Sequence, residues 1–166
     1  PNSDYITFFE IDETEVPEFS INYYIQKDDQ DHPPYPDMRT IKYPKPSYPN
    51  PIVDIKVYSL ESGKTITYKL DEPSQLINEI VYLGETKFIA KVTDRIATYM
   101  KVFVMDVFGN EKKMQRKQFD ADEWIELTHY TTHVKPYPEH GITTDGYLDV
   151  IPIDGFNHLV YYPNLE

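Results

Sequence analysis

Few side chains in this sequence can carry out covalent chemistry. Cysteine is absent, which excludes a disulfide scaffold, thiolate-bound zinc and a thiol nucleophile. The serines are Ser3, Ser20, Ser47, Ser59, Ser62 and Ser74, and none sits in the G-x-S-x-G frame of a nucleophile elbow. The densest group of chemically able side chains is His129, His133, Glu139, His140 and Asp145. A His-x-x-x-His pair puts two rings on one face of a helix, as zinc sites require. Here the residues between are Tyr130-Thr131-Thr132, and Pro136 and Pro138 follow. β-Branching and proline both oppose a helix, so ordinary loop histidines are expected, with no metal and no cofactor.

The elements that must position these residues are strands. The chain has 166 residues, with 15 Tyr, 14 Pro and only 6 Gly. Aromatic rings suit a pleated, half-buried surface, and the prolines leave no long helix intact. Ile52–Leu60 alternates with Val53, Ile55 and Val57 on one face, and Lys64–Leu70 alternates after the turn Glu61-Ser62-Gly63. These two segments read as a hairpin. Asn78–Leu83, Lys87–Val92, Tyr99–Val107 and Lys112–Phe119 read as four successive strands, and Phe108-Gly109-Asn110 turns the last pair. Lys112, Lys113, Arg116 and Lys117 mark the fourth as a solvated outer strand. Tyr5–Glu10 precedes this series, and Gly146–Ile153 and Phe156–Tyr162 follow it.

Antiparallel four-strand groups recurring every ~40–60 residues predict β-propeller blades. The expected layout is all-β. Residues 1–11 with 52–70 form a partial blade, 78–119 a complete blade, 123–145 a loop and 146–163 a half blade. Residues 12–51 form an inserted arm. A propeller needs at least ~4 blades, so an internal fragment is expected, and the start at Pro1 without Met points the same way. A β-sandwich accounts for the same strands and stays open as the alternative. Within the arm, Phe19–Ile25 and Met38–Tyr43 are expected to pair as an extended hairpin around the Gln26–Asp37 tip.

Charge narrows the partners. With 16 Lys+Arg against 28 Asp+Glu the net charge is −12, which opposes binding to a nucleic-acid backbone. No apolar run approaches the ~18 residues of a spanning helix, and no basic-then-apolar signal opens the chain. No N-x-S/T site is present, so glycosylation gives no guide to compartment. The single tryptophan, Trp124, is expected to pack between blade edges. Asp106, on an apolar face of its strand, is expected to cap the turn at Phe108-Gly109.

Three motifs carry a resemblance. Asp12-Glu13-Thr14-Glu15-Val16-Pro17, Tyr43-Pro44-Lys45 and Asn50-Pro51-Ile52-Val53 follow one another as in the propeller of the dipeptidyl peptidase IV family. Pro1-Asn2-Ser3-Asp4-Tyr5-Ile6 resembles a blade-opening pattern. Trp124–His129, Asp145–Val150 and Gly155–Leu159 are similar to membrane-anchored dipeptidyl aminopeptidases of the vacuole and Golgi.

The resemblance implies a serine exopeptidase that removes X-Pro or X-Ala dipeptides. It implies an eight-bladed propeller, a separate α/β-hydrolase domain holding the triad, and a lumenal or extracellular position with a single-pass anchor elsewhere. No catalytic residue is then expected here. The family's paired glutamates would lie upstream of residue 1, distinct from Glu13 and Glu15. A Phe-Arg pair of the family that reaches toward the substrate cavity corresponds to Val134 and Lys135. Lys135 keeps the charge but loses the planar fork of arginine, and its ordinary alternative is a solvated lysine beside a proline turn. The arm implies a homodimer through Phe19, Ile21, Tyr23, Ile25 and Ile41. Two other functions stay open: a binding subunit that has lost its catalytic serine, and an independent acidic β-sandwich that binds a ligand.

Overall fold

The computed structural model describes residues 3–24, 35–70, 75–119 and 124–165, with the side chains of 116–119 outside that description. The order of elements is β1 (Tyr5–Asp12), β2 (Glu18–Tyr23), β3 (Asp37–Lys42), β4 (Ile52–Ser59), β5 (Thr65–Tyr68), β6 (Leu76–Tyr82) and β7 (Lys87–Thr93). There follow β8 (Tyr99–Asp106), β9 (Lys112–Phe119), β10 (Thr132–Val134), a 3₁₀ turn (Pro138–His140), β11 (Gly146–Ile153) and β12 (Phe156–Tyr162). The chain divides into two compact units, residues 1–10 with 53–166, and residues 11–52.

The larger unit holds three sheets, ordered β1-β4-β5, β6-β7-β8-β9 and β10-β11-β12. The middle one is the four-stranded antiparallel blade expected from the sequence, beginning at Leu76. Its central strands are buried on both faces, which is why Phe88–Val92 and Val102–Val107 read as near-continuous apolar runs. One face of β7, with Phe88, Ala90 and Val92, joins Phe103 and Met105 of β8 against Ile55, Val57 and Tyr68 of the first sheet. Ile89, Val102 and Val104 on the opposite face pack with Leu83, Tyr147 and Leu165, toward the third sheet. Each fully buried side chain of this size contributes on the order of 1.5–3 kcal/mol. The three sheets therefore stack face to face through two apolar seams.

Polar groups fix the seams in register. Glu79 and Lys91 lie opposite each other on β6 and β7. Lys91 Nζ is 2.9 Å from Glu79 Oε2 and 2.8 Å from Asp149 Oδ1 of β11, and also donates to the Thr128 carbonyl at 3.3 Å. Thr131 Oγ1 donates to Glu79 Oε2 at 2.6 Å, and the Val150 N–H donates to Asp149 Oδ1 at 2.9 Å. The lysine side chain is 2% exposed and that of Asp149 0%, so the second and third sheets share a desolvated charge cluster in which Lys91 bridges two carboxylates.

Across the other seam, the Tyr68 hydroxyl lies within 2.8 Å of the Asp106 carbonyl and 2.9 Å of its Oδ1. Asp106 Oδ1 also accepts from the N–H groups of Phe108 and Asn110, capping the β8–β9 turn as its sequence position suggests. Burial pushes this carboxyl up, but the Asn110 N–H, the Tyr68 hydroxyl and the Phe108 N–H outweigh it and hold the group below the usual range. Burial and the Asp106 carboxylate push the Tyr68 phenol up.

Two sequence expectations need correction. Residues 123–145 are not one loop: among those described, Thr132–Val134 forms β10, which pairs with β11, and a 3₁₀ turn follows. The third sheet thus has three strands. Trp124 does not pack between blade edges; it is 82% exposed. In the smaller unit, β2 and β3 form the expected antiparallel hairpin, pairing Phe19 with Ile41, Ile21 with Arg39 and Tyr23 with Asp37. Pleating gathers these six residues on one face. Arg39 lies 3.5 Å from the centre of the Tyr23 ring, and Phe19 packs on Tyr43 at 5.6 Å. Phe19 and Ile41 remain 40% exposed, and Ile25 lies outside the described residues.

Candidate functional site

A cleft of about 730 Å³ opens where the first two strands of the second and third sheets turn over. One wall is the end of β6 and the β6–β7 turn, with Tyr82, Gly84, Glu85 and Thr86. The turn closes by a Leu83 N–H to Lys87 carbonyl bond at 2.8 Å, and Gly84 takes φ +89°, a conformation that side chains disfavour. The Tyr82 hydroxyl lies 2.5 Å from Thr7 Oγ1. The other wall is the exit of β10 and the approach to β11, with His133, Lys135, Pro136 and Asp145.

Local sequence explains this second wall. β10 ends at Val134, two residues before Pro136, which has no N–H for a ladder. The connection folds back through a Tyr137–Ile142 bridge around the 3₁₀ turn, and Gly141 closes it at φ +80°. Strand alternation sends His133 and Lys135 to one side and Val134 to the other. Lys135 accordingly lines the cleft. Val134 is half-buried opposite Gly146 and does not line it.

His133 Nε2 and Asp145 Oδ1 are 2.6 Å apart, a hydrogen bond that becomes an ion pair when the ring is protonated. The carboxylate also lies against the β6–β7 turn. A Cβ on Gly84 would sit 3.2 Å from Asp145 Oδ2, which leaves glycine as the residue that fits. The exposed Lys135 ammonium has no partner among the described residues, so it offers three donors and a positive charge to the cleft. Glu85 is exposed on the facing turn. This set can hold the polar groups of a bound molecule.

The remaining histidine reading resolves differently. His140 packs at a tilt against the Tyr137 ring, with centroids 4.4 Å apart, and His129 lies in the irregular segment before β10. Among the described residues no three His, Asp or Glu side chains converge as metal ligands would. The sequence places Asp145 in one group with His133 but does not pair the two, and it names Lys135 only through the family resemblance. The 12-residue separation gives no periodic signal for that pair; the register of β10 on β11 creates it.

Stacked antiparallel sheets of this kind define a segment of a β-propeller, and comparison with known proteins specifies which. A family model for the dipeptidyl peptidase IV (DPP IV) N-terminal region matches residues 1–166. Dipeptidyl aminopeptidase B of Saccharomyces cerevisiae is 37% identical over 168 residues, covering 99% of this chain and 20% of that protein. Dipeptidyl-aminopeptidase B of Aspergillus niger is 33% identical over 174 residues, covering 98% and 19%. The crystal structure of Porphyromonas gingivalis dipeptidyl peptidase 4 superposes with a TM-score of 0.80 at 20% identity, over 99% of this chain and 22% of that one. The chain therefore belongs to the dipeptidyl peptidase IV family, in its N-terminal propeller region. It spans about a fifth of the length of the curated relatives it matches. No helix among the described residues is long and apolar enough to cross a membrane.

Proposed function

We propose that this chain is the propeller portion of a serine-type dipeptidyl aminopeptidase that removes N-terminal X-Pro or X-Ala dipeptides. The observation that carries the reading is the cleft that Lys135 lines, in a chain whose relatives are named dipeptidyl aminopeptidases. In this reading the segment binds and guides peptide, and the Ser-His-Asp triad and further blades belong to the rest of the parent protein. Lys135 provides hydrogen bonds and positive charge to the peptide's carbonyl or carboxylate oxygens, as a point charge without the fork of an arginine.

Two further elements belong to the same reading. The β2–β3 hairpin serves as a dimerisation arm. A two-stranded ribbon is marginal by itself in water, and one of its faces carries Phe19, Ile21, Tyr23 and Ile41. A second copy covers such a face by two-fold symmetry. The parent protein works on the lumenal or extracellular side of a vacuolar or Golgi-type membrane, held by an anchor outside this segment. The similarity to the two fungal aminopeptidases supports this placement.

The test is to express the full-length parent and assay an Ala-Pro chromogenic amide. Hydrolysis that a serine-directed inhibitor abolishes is the expected result. A folded, full-length protein that leaves this amide intact would remove the enzymatic reading.

A further inference from the structure

We propose that Asp145 and His133 form a positioning pair that sets Lys135 in the cleft, a step that rests on the proposed role of Lys135 in holding peptide. The chain of contacts is continuous. Gly84, at φ +89°, lets the β6–β7 turn approach so closely that the Asp145 carboxylate fills the place of its missing side chain. Asp145 then holds the His133 ring at 2.6 Å. His133 lies two residues before Lys135, and both line the cleft. Ladder support here is short: among the described residues it is the three-residue β10 and, between Pro136 and Pro138, a single Tyr137–Ile142 bridge. Without the side-chain tether, the exit of β10 would be held by its pairing on β11 and the single bridge beyond it, with the Thr131–Glu79 bond at its entry. A short ladder at a proline-terminated end is the kind of segment that opens locally. The Lys135 stem is long and rotatable, so the direction of its backbone decides which part of the cleft the ammonium can reach.

The pair acts through Lys135, and a double-mutant cycle in the full-length enzyme reads this out. Lys135→Ala should raise KM for an Ala-Pro chromogenic amide about tenfold, with kcat held within about twofold, as for loss of one charge-assisted contact in binding. Asp145→Ala should raise KM severalfold in the wild-type background and leave it unchanged in the Lys135→Ala background. Asp145→Asn, which keeps an acceptor oxygen, and His133→Gln, which keeps a donor, should recover most of the affinity. These milder variants also serve if Asp145→Ala does not fold. Multiplying effects of Lys135→Ala and Asp145→Ala would overturn the positioning role. So would an unchanged KM for Asp145→Ala where Lys135→Ala raises it. An active enzyme whose KM ignores Lys135→Ala would refute the prior reading of Lys135, and the positioning role with it.

Discussion

Replacing Lys91 with methionine is the sharpest perturbation of the stacked sheets. Methionine fills the same volume without the charge. It leaves Glu79 and Asp149 facing each other across a seam where their side chains are 10% and 0% exposed. The ammonium now satisfies both carboxylates at 2.9 and 2.8 Å and the Thr128 carbonyl at 3.3 Å. Breaking a buried ion pair by removing one partner costs about 3–5 kcal/mol, because an uncompensated charge remains. Replacing the whole cluster should cost far less. Lys91→Met with Glu79→Gln and Asp149→Asn keeps acceptor oxygens for Thr131 Oγ1 and the Val150 N–H, and should return to within about 1 kcal/mol of wild type. Native-state hydrogen exchange on the amides of β7 and β11 reads the seam locally, even within a large protein. The single variant should speed exchange by roughly two to four powers of ten, and the triple variant should restore most of it. Exchange within about tenfold of wild type for Lys91→Met, or a triple variant no better than the single, would refute the argument that Lys91 holds two desolvated carboxylates in this seam.

Other outcomes follow from the same contacts. Asp106→Asn should cost about 1–3 kcal/mol at neutral pH, since the charged acceptor of three hydrogen bonds is lost. The Asp106 carboxyl is held below its ordinary value of 3.8, so its contribution is complete above that pH and disappears as pH falls through the lowered value. Acid titration of stability should therefore bring wild type and Asp106→Asn together below the usual carboxylate range. Gly146→Ala should cost about 1–3 kcal/mol in denaturation, because its Cβ would overlap the Tyr162 carbonyl oxygen across β11–β12. Gly155→Ala meets nothing within 4 Å, and should cost only the roughly 1–2 kcal/mol of its left-handed φ of +80°. Tyr23→Asp with Ile41→Asp in the full-length ectodomain should halve the mass seen by light scattering; an unchanged dimer would leave the arm a packed loop.

Much of this fold was readable because strand burial leaves a period. Alternation in Ile52–Leu60 placed Ile55 and Val57 on the face that the first seam now buries. The arm hairpin was legible for the same reason, with Phe19, Ile21 and Tyr23 spaced by two. β10 was not, since three residues before a proline are too short to show any period. Trp124 misled because size and aromaticity predict burial, whereas here the ring is exposed. The Lys91 cluster left a readable trace that pattern reading passed over. A lysine stands inside Phe88–Val92, and Asp149 interrupts Gly146–Ile153, two charges on faces otherwise apolar. Their pairing is a product of sheet stacking, 58 residues apart in sequence. The cleft divides likewise. Lys135 came from family resemblance, but its separation from Val134 and its company with His133, Asp145 and Gly84 required the register of β10 on β11.

The central claim is that substrate peptide lies against the cleft between the β6–β7 turn and the exit of β10. Photo-crosslinking of the full-length protein with an X-Pro peptide tests this directly. The probe carries a photoreactive group on its N-terminal residue, and labelled positions are mapped by mass spectrometry. Label within residues 82–86 and 133–145, competed by excess unlabelled X-Pro peptide and reduced by Lys135→Ala, is the predicted result. Competable label that avoids both segments, or that falls on the arm at residues 18–23 and 37–42, would contradict it.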